Sequence, residues 1–157
     1  MKPLLPHLPA NSRYIEPCAG DGALIKQLAR AGHDCVGAFD IDPQESDCGV
    51  PIIKGDATKL EVEKHYYAAD LIITNPAWTR AILHPIIFNL YWQLPTWLLF
   101  DADWAHTKQA RPYMPLCRKI VPVGRVRWIE GSKNDGKDNV AWYFFAPAVP
   151  TQFLGRL

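Results

Sequence analysis

An amide, a proline and an indole follow one aliphatic run in "LIITNPAW", Leu71 to Trp78. Leu71 to Thr74 suit a buried strand. Pro76 ends its hydrogen-bond ladder and leaves Asn75 and Trp78 just beyond the carboxyl end. In open α/β sheets, ligands bind at that end. Two acceptors, the Asn75 side-chain oxygen and the Pro76 carbonyl, can hold both N–H bonds of an aromatic amine. They would favour a pyramidal nitrogen whose lone pair is aimed for attack. The Trp78 face adds a stacking surface worth about 1–3 kcal/mol for a base. A strong base is unnecessary, since such a nitrogen turns acidic only as its new bond forms. Taken alone, the tetrapeptide also reads as an ordinary turn with a core tryptophan.

A second group of residues lies upstream. "EPCAGDGAL" runs from Glu16 to Leu24, and its Gly20 and Gly22 permit close backbone approach at the start of a helix. Leu24 and Ile25 stand where a third glycine of a dinucleotide loop would come, and no Lys-Ser/Thr pair marks a P-loop. Glu16 and Asp21 make the loop acidic, which suits a sulfonium and an α-amino group better than a pyrophosphate. Pro17 closes the preceding strand. Asp40, followed by Ile41, is placed for ribose hydroxyls. Asp56, followed by Ala57, offers an acceptor for an adenine amino group. Singly, each acid is also a common turn or cap residue. In this order they point to S-adenosylmethionine.

These residues require a frame of alternating strands and helices. "RYIEP" is a strand, and "GALIKQLARAGH" has Leu24, Ile25, Leu28 and Ala31 at helical spacing with Gly32 as its stop. "CVGAFDI", "PIIKGDA" and "LIITN" follow as strands. "RAILHPIIFNLYW" is helical with an interruption at Pro85, "TWLLFDA" is a fifth strand, and "WAHTKQARPYM" is a polar helical segment. "KIVPVGRVRWI" and "VAWYFFAP" flank "EGSKNDGKDN", a hairpin loop. The expected fold is therefore α/β: a Rossmann-like parallel sheet with an antiparallel edge hairpin and helices on both faces.

Composition narrows the class. The 157 residues are 48% hydrophobic and 21% charged, as in a globular chain, and the expectation is one domain over 1–157. The formal net charge of +1 gives no whole-chain pull towards nucleic acid or membrane. Charge is nevertheless segregated. Asp40, Asp42, Glu45 and Asp47 form an acidic stretch, whereas Lys108, Arg111, Arg118, Lys119, Arg125, Arg127, Lys133 and Lys137 dominate 104–137. That layout suits a cationic cofactor beside an anionic substrate. Four scattered cysteines lack metal spacing and indicate reduced thiols in a cytoplasmic protein. Neither a signal peptide nor an apolar run of membrane-spanning length is visible.

The series "EPCAGDGAL", "AFDID", "GDAT" and "LIITNPAW" resembles the class I S-adenosylmethionine-dependent methyltransferases over a core of about 13–147. It is similar to their amino-methylating nucleic-acid branch, especially small phage- and prophage-type adenine methyltransferases. The resemblance implies that Glu16, Gly20, Asp21 and Gly22 hold the methionine moiety, Asp40 the ribose, and Asp56 with Ala57 the adenine. It implies Asn75, Pro76 and Trp78 as the catalytic tetrad, with Ala77 where the family has a second proline. The implied activity is methylation of adenine in DNA. Guanine or adenine in RNA, a protein glutamine, and a non-catalytic cofactor-binding scaffold are the alternatives.

Two further clusters bear on substrate. Asp101, Asp103 and His106 offer ligands for a metal, but rimming a substrate pocket or capping the next helix suits them better, and no metal is expected. Lys133 and Lys137 could meet phosphates, and Trp142 could face the catalytic loop from the hairpin or be a core aromatic. No segment is long enough for a separate target-recognition domain. Weak sequence preference, single-stranded preference or help from dimerisation is therefore expected of a monomer or homodimer, because flipping a base from a duplex costs a few kcal/mol.

Overall fold

The computed structural model describes residues 2–62, 68–126, 138–147 and a two-residue strand at 152–153. The first half alternates as expected. Strand β1 (Arg13–Glu16) leads to helix α1 (Ala23–Ala29), β2 (Asp34–Asp40) and the short β3 (Ile52–Lys54). Then come β4 (Leu71–Thr74), α2 (Arg80–Leu90) and β5 (Thr96–Asp101). Strands β6 (Cys117–Arg125), β7 (Asn139–Phe145) and β8 (Gln152–Phe153) complete an eight-stranded sheet of order β3-β2-β1-β4-β5-β7-β6-β8.

Period-two alternation divides the core between the sheet's two faces. Tyr14, Leu71, Ile73, Trp97, Leu99, Val140 and Trp142 pack with Ile25 and Leu28 of α1. Their neighbours Ile15, Ile72, Leu98, Phe100, Ala141 and Tyr143 pack with Leu83, Ile86, Ile87 and Leu90 of α2. The two helices thus cover opposite faces. The chain moves outward from β1 through α1 and from β4 through α2 in opposite directions, as crossovers of one hand require. The adjacent, parallel β1 and β4 are therefore the topological switch point, where the following loops diverge and leave a crevice.

Two expectations need correction. The polar segment after β5 forms short 3-10 turns, Ala102–His106, Lys108–Ala110 and Met114–Leu116, instead of one helix. Asp101 starts the first by accepting from the Asp103 N–H at 2.9 Å, and Pro112 and Pro115 keep the later turns short. Outside β6 the two-residue β8 pairs parallel, next to the expected antiparallel β6–β7 hairpin. Its Pro122 is accommodated where the register slips between Pro122 and Gly124. Pro85 does not interrupt α2: it lies on the exposed side of a continuous helix, so water can satisfy the carbonyl it leaves unpaired. Among the described residues, no helix is long and apolar enough to cross a membrane.

Candidate active site at the sheet switch point

The loop after β1 is built around glycine backbone geometry. Gly20 and Gly22 adopt φ of +54° and +75°. A Cβ on Gly22 would lie 2.6 Å from the Cys48 Cβ, whereas one on Gly20 would meet nothing within 4 Å. Gly22 thus lets α1 start against the 46–48 loop, and Gly20 leaves open space. Asp40 ties this loop to the end of β2. Its Oδ2 accepts from the Gly20 N–H at 2.8 Å and its Oδ1 from the Asp42 N–H at 2.9 Å. Each oxygen keeps a second lone pair for a hydroxyl.

A cavity of about 420 Å³ opens beside these groups. Pro17, Gly20, Asp40 and Ile41 line it from the β1 and β2 ends, Asp56 and Ala57 from beyond β3, and Asn75 from the end of β4. Ile41 is 66% exposed and Ile82 43% exposed at this cavity, an uncommon placement for isoleucine that suits sandwiching a flat ring. Ile82 and Ile86 of α2, with Cys18 and Thr58, are lining residues that sequence reasoning missed. The two isoleucines carried only the ordinary four-residue spacing of a helix core. Burial pushes the Cys18 thiol up to about 12, so this wall presents a neutral thiol.

Other expected cofactor residues stand behind the lining. Gly22 is the buried N-cap of α1. Asp21 is exposed, with Oδ1 accepting from the Ala23 N–H at 3.0 Å and its carbonyl from the Ser46 hydroxyl at 2.6 Å. Glu16 is buried, and its Oε2 has no hydrogen-bond partner among the described residues. Burial first, then Cys48, Asp40 and Asp21, raise its pKa well above the usual carboxylate range. A buried carboxyl oxygen left without a partner beside like charges is costly unless a donor or a cation meets it. The set of groups fits S-adenosylmethionine: an orphaned acid for an ammonium, a ribose-type acid in Asp40, and exposed isoleucines for a purine.

Helix α2 and the turn that follows it hold the far wall. Asn89 Nδ2 donates to the Ala57 and Leu60 carbonyls, each at 3.0 Å. Gln93 Nε2 donates to the Leu60 carbonyl at 2.7 Å, and its Oε1 accepts from the Val62 N–H at 2.6 Å. Asp56 accepts from the Thr58 N–H and hydroxyl at 2.9 and 2.7 Å, which lowers its pKa.

The 75–78 segment separates this cavity from a second one. Asn75 and Ala77 face the first, whereas Trp78 lines a pocket of about 520 Å³ with Thr79, Arg80 and Leu83 of the α2 end and Phe100, Asp101 and Trp104 of the β5 end. Asp138 reaches the same pocket from beside β7. Pro76 is buried between. The Trp78 Nε1–H donates to Asn75 Oδ1 at 3.4 Å. Tyr143 shares its hydroxyl proton between the Asp101 and Ala102 carbonyls, at 3.1 and 3.0 Å, and fixes the end of β5. The second pocket thus has aromatic walls, carboxylates and one guanidinium, a lining suited to a planar molecule with polar edges.

The substrate candidates are scattered. Asp103 and His106 are exposed and line neither cavity, while Asp101 both lines the pocket and caps the following turn. No group of three or more metal-type ligands occurs among the described residues. Trp142 is fully buried in the α1-side core and is not among the lining residues of either cavity. Its place in the β7 alternation faces it towards α1. Lys133, Lys137 and Arg127 lie outside the described residues.

No family model matches the sequence, and no curated protein matches it. Solved structures do resemble it in fold. The TehB-like SAM-dependent methyltransferase of Corynebacterium glutamicum is 14% identical, with a TM-score of 0.55 over 92% of this chain and 85% of that one. The N-methyltransferase NodS of Bradyrhizobium japonicum is 15% identical, with a TM-score of 0.54 over 92% and 89% of the two chains. A dimethyladenosine transferase of Plasmodium falciparum is 14% identical, with a TM-score of 0.56 over 92% of this chain and 58% of that one. The fold is that of Rossmann-like methyltransferases.

Proposed function

We propose that the chain is an S-adenosylmethionine-dependent N-methyltransferase that acts on an exocyclic amino group, that of adenine in DNA. One observation carries the reading: Asn75 to Trp78 stand between two cavities, which we assign to the cofactor and to a planar acceptor. When bound, S-adenosylmethionine supplies a methyl group made electrophilic by its sulfonium. Glu16 and the Asp21 loop would hold the methionine end, Asp40 the ribose, and Asp56, Ala57, Ile41 and Ile82 the adenine.

The chain's own groups then act on the acceptor. Asn75 Oδ1 and the Pro76 carbonyl would accept the two N–H bonds of the amine and keep its lone pair out of the ring. Trp78 would support the ring by stacking, in a pocket walled by Phe100 and Trp104. The proton lost by the nitrogen would leave along one of the two held N–H bonds, towards Asn75 or the Pro76 carbonyl and from there to solvent. Nucleic acid is the proposed partner, and the Lys/Arg-rich 104–137 segment, including Arg125 at the end of β6, supports it.

The test is transfer of labelled methyl from S-adenosylmethionine to unmethylated duplex DNA, single-stranded DNA and RNA, with Asn75→Ala as control. Label on adenine in DNA, lost in the variant, is the expected result. Label on RNA guanine or on a protein glutamine would move the substrate class while keeping the chemistry. Cofactor binding by calorimetry with no transfer to any acceptor would overturn the catalytic reading and leave a scaffold.

A further inference from the structure

Trp104 is only 2% exposed, yet it lines the second pocket. Its packing is aromatic: Phe100 meets it edge-on at 5.1 Å and Tyr143 at 5.4 Å. Among the described residues its side chain makes one hydrogen bond, the indole Nε1–H donating to His84 Nε2 at 3.0 Å. His84 sits on α2 directly after Leu83, which lines the same pocket, and its ring is 4.4 Å from that of Tyr113.

A histidine that accepts at Nε2 carries its proton on Nδ1 and must be neutral, because the imidazolium has only donors. Protonation would set an N–H against the indole N–H. We propose that His84 is a positioning residue for the acceptor pocket: in its neutral form it fixes the Trp104 indole as a pocket wall, and on protonation it releases that wall and weakens capture of a planar substrate. The proposal rests on the second pocket being the acceptor's site.

The groups facing His84 agree with a neutral ring. Arg80 is the charged one, from the preceding turn of α2, while Trp104 and Tyr113 approach as uncharged rings. Burial first and Arg80 second hold its pKa below the usual 6.5, so the hydrogen bond is intact at neutral pH and is lost on acidification below that value.

Two readouts that need no methyl transfer test this. The indole ¹⁵N–¹H resonance of Trp104, assigned with Trp104→Phe, should move with a midpoint below 6.5 in the native chain. His84→Gln keeps an acceptor that does not titrate, so the movement should vanish. In parallel, affinity for an adenine-containing single-stranded oligonucleotide, read by anisotropy, should fall about fivefold over that midpoint, the worth of one net hydrogen bond. His84→Gln should hold its affinity across the range, and His84→Phe should be weak throughout. An indole resonance that does not titrate, or His84→Phe binding like the native chain at neutral pH, would overturn the proposal. An oligonucleotide bound with this pH dependence but never methylated would sink the catalytic reading while supporting the role of His84.

Discussion

The Trp78 indole N–H donates to Asn75 Oδ1 across 3.4 Å, which links a side chain of the second pocket to one of the first. At that length the bond is near the outer limit of a hydrogen bond and readily yields to a better-placed donor. A substrate amine that takes Asn75 Oδ1 must displace this donor.

Trp78→Phe therefore keeps an aromatic face and removes the competitor, so the acceptor KM should stay level or fall. Trp78→Ala loses the stacking surface, about 1–3 kcal/mol, and should raise KM roughly tenfold or more. Asn75→Ala should cut kcat by about a hundredfold. Steady-state methyl-transfer kinetics separate these effects, and equal losses in Trp78→Phe and Trp78→Ala would contradict the displacement argument.

Asn89 and Gln93 hold the loop that carries Asp56 and Ala57 through four hydrogen bonds to 57–62. Asn89→Ala removes two of them and should weaken S-adenosylmethionine binding by about 1–2 kcal/mol, read by calorimetry. Unchanged affinity would mean that the loop holds its shape without α2.

Gly20→Ala and Gly22→Ala should differ in stability. At Gly20 the added Cβ meets nothing within 4 Å, so only the left-handed backbone is penalised, about 1 kcal/mol. At Gly22 the Cβ lies 2.6 Å from Cys48 Cβ and Ser46 Oγ, with φ of +75°, and the combined cost should be about 3 kcal/mol or more. Denaturant midpoints of the two ligand-free variants decide it.

Glu16 links stability to pH. Its folded pKa lies above the ordinary 4.5, so the folded chain holds this proton more tightly than the unfolded chain does. The contribution is fully favourable below 4.5 and is lost as pH rises towards the folded value. Glu16→Gln removes that loss. The ligand-free variant should thus gain Tm relative to the native chain, more at pH 8 than at pH 5, while cofactor binding weakens. A Tm difference independent of pH would show that Glu16 does not carry the linkage.

Arg125 is exposed at the end of β6. If it meets a phosphate, Arg125→Glu should weaken binding to DNA and reduce the log–log salt slope by about 0.9. An unchanged slope would remove this end of β6 from the docking face.

What could be read in the sequence was local. The strand ends and turns from 13 to 101 were legible because Gly22, Gly32 and Pro76 act through their own backbones, and because period-two and period-3.6 patterns need no distant partner. The expected residues Pro17, Gly20, Asp40, Ile41, Asp56, Ala57 and Asn75 meet at one cavity, since each stands at a strand's carboxyl end and the parallel sheet aligns those ends. Which face each side chain takes was decided by the tertiary structure. Trp142 and Tyr143 are adjacent and equally aromatic, yet register sends one into the α1-side core and the other under the β5 end. Ile82 and Ile86 line the cavity because of where α2 is laid. The second pocket exists only where the α2 start, β5 and the β7 end converge. Helical or strand period states which residues share a face. Pairing across tens of residues determines what that face meets, and no local pattern encodes it.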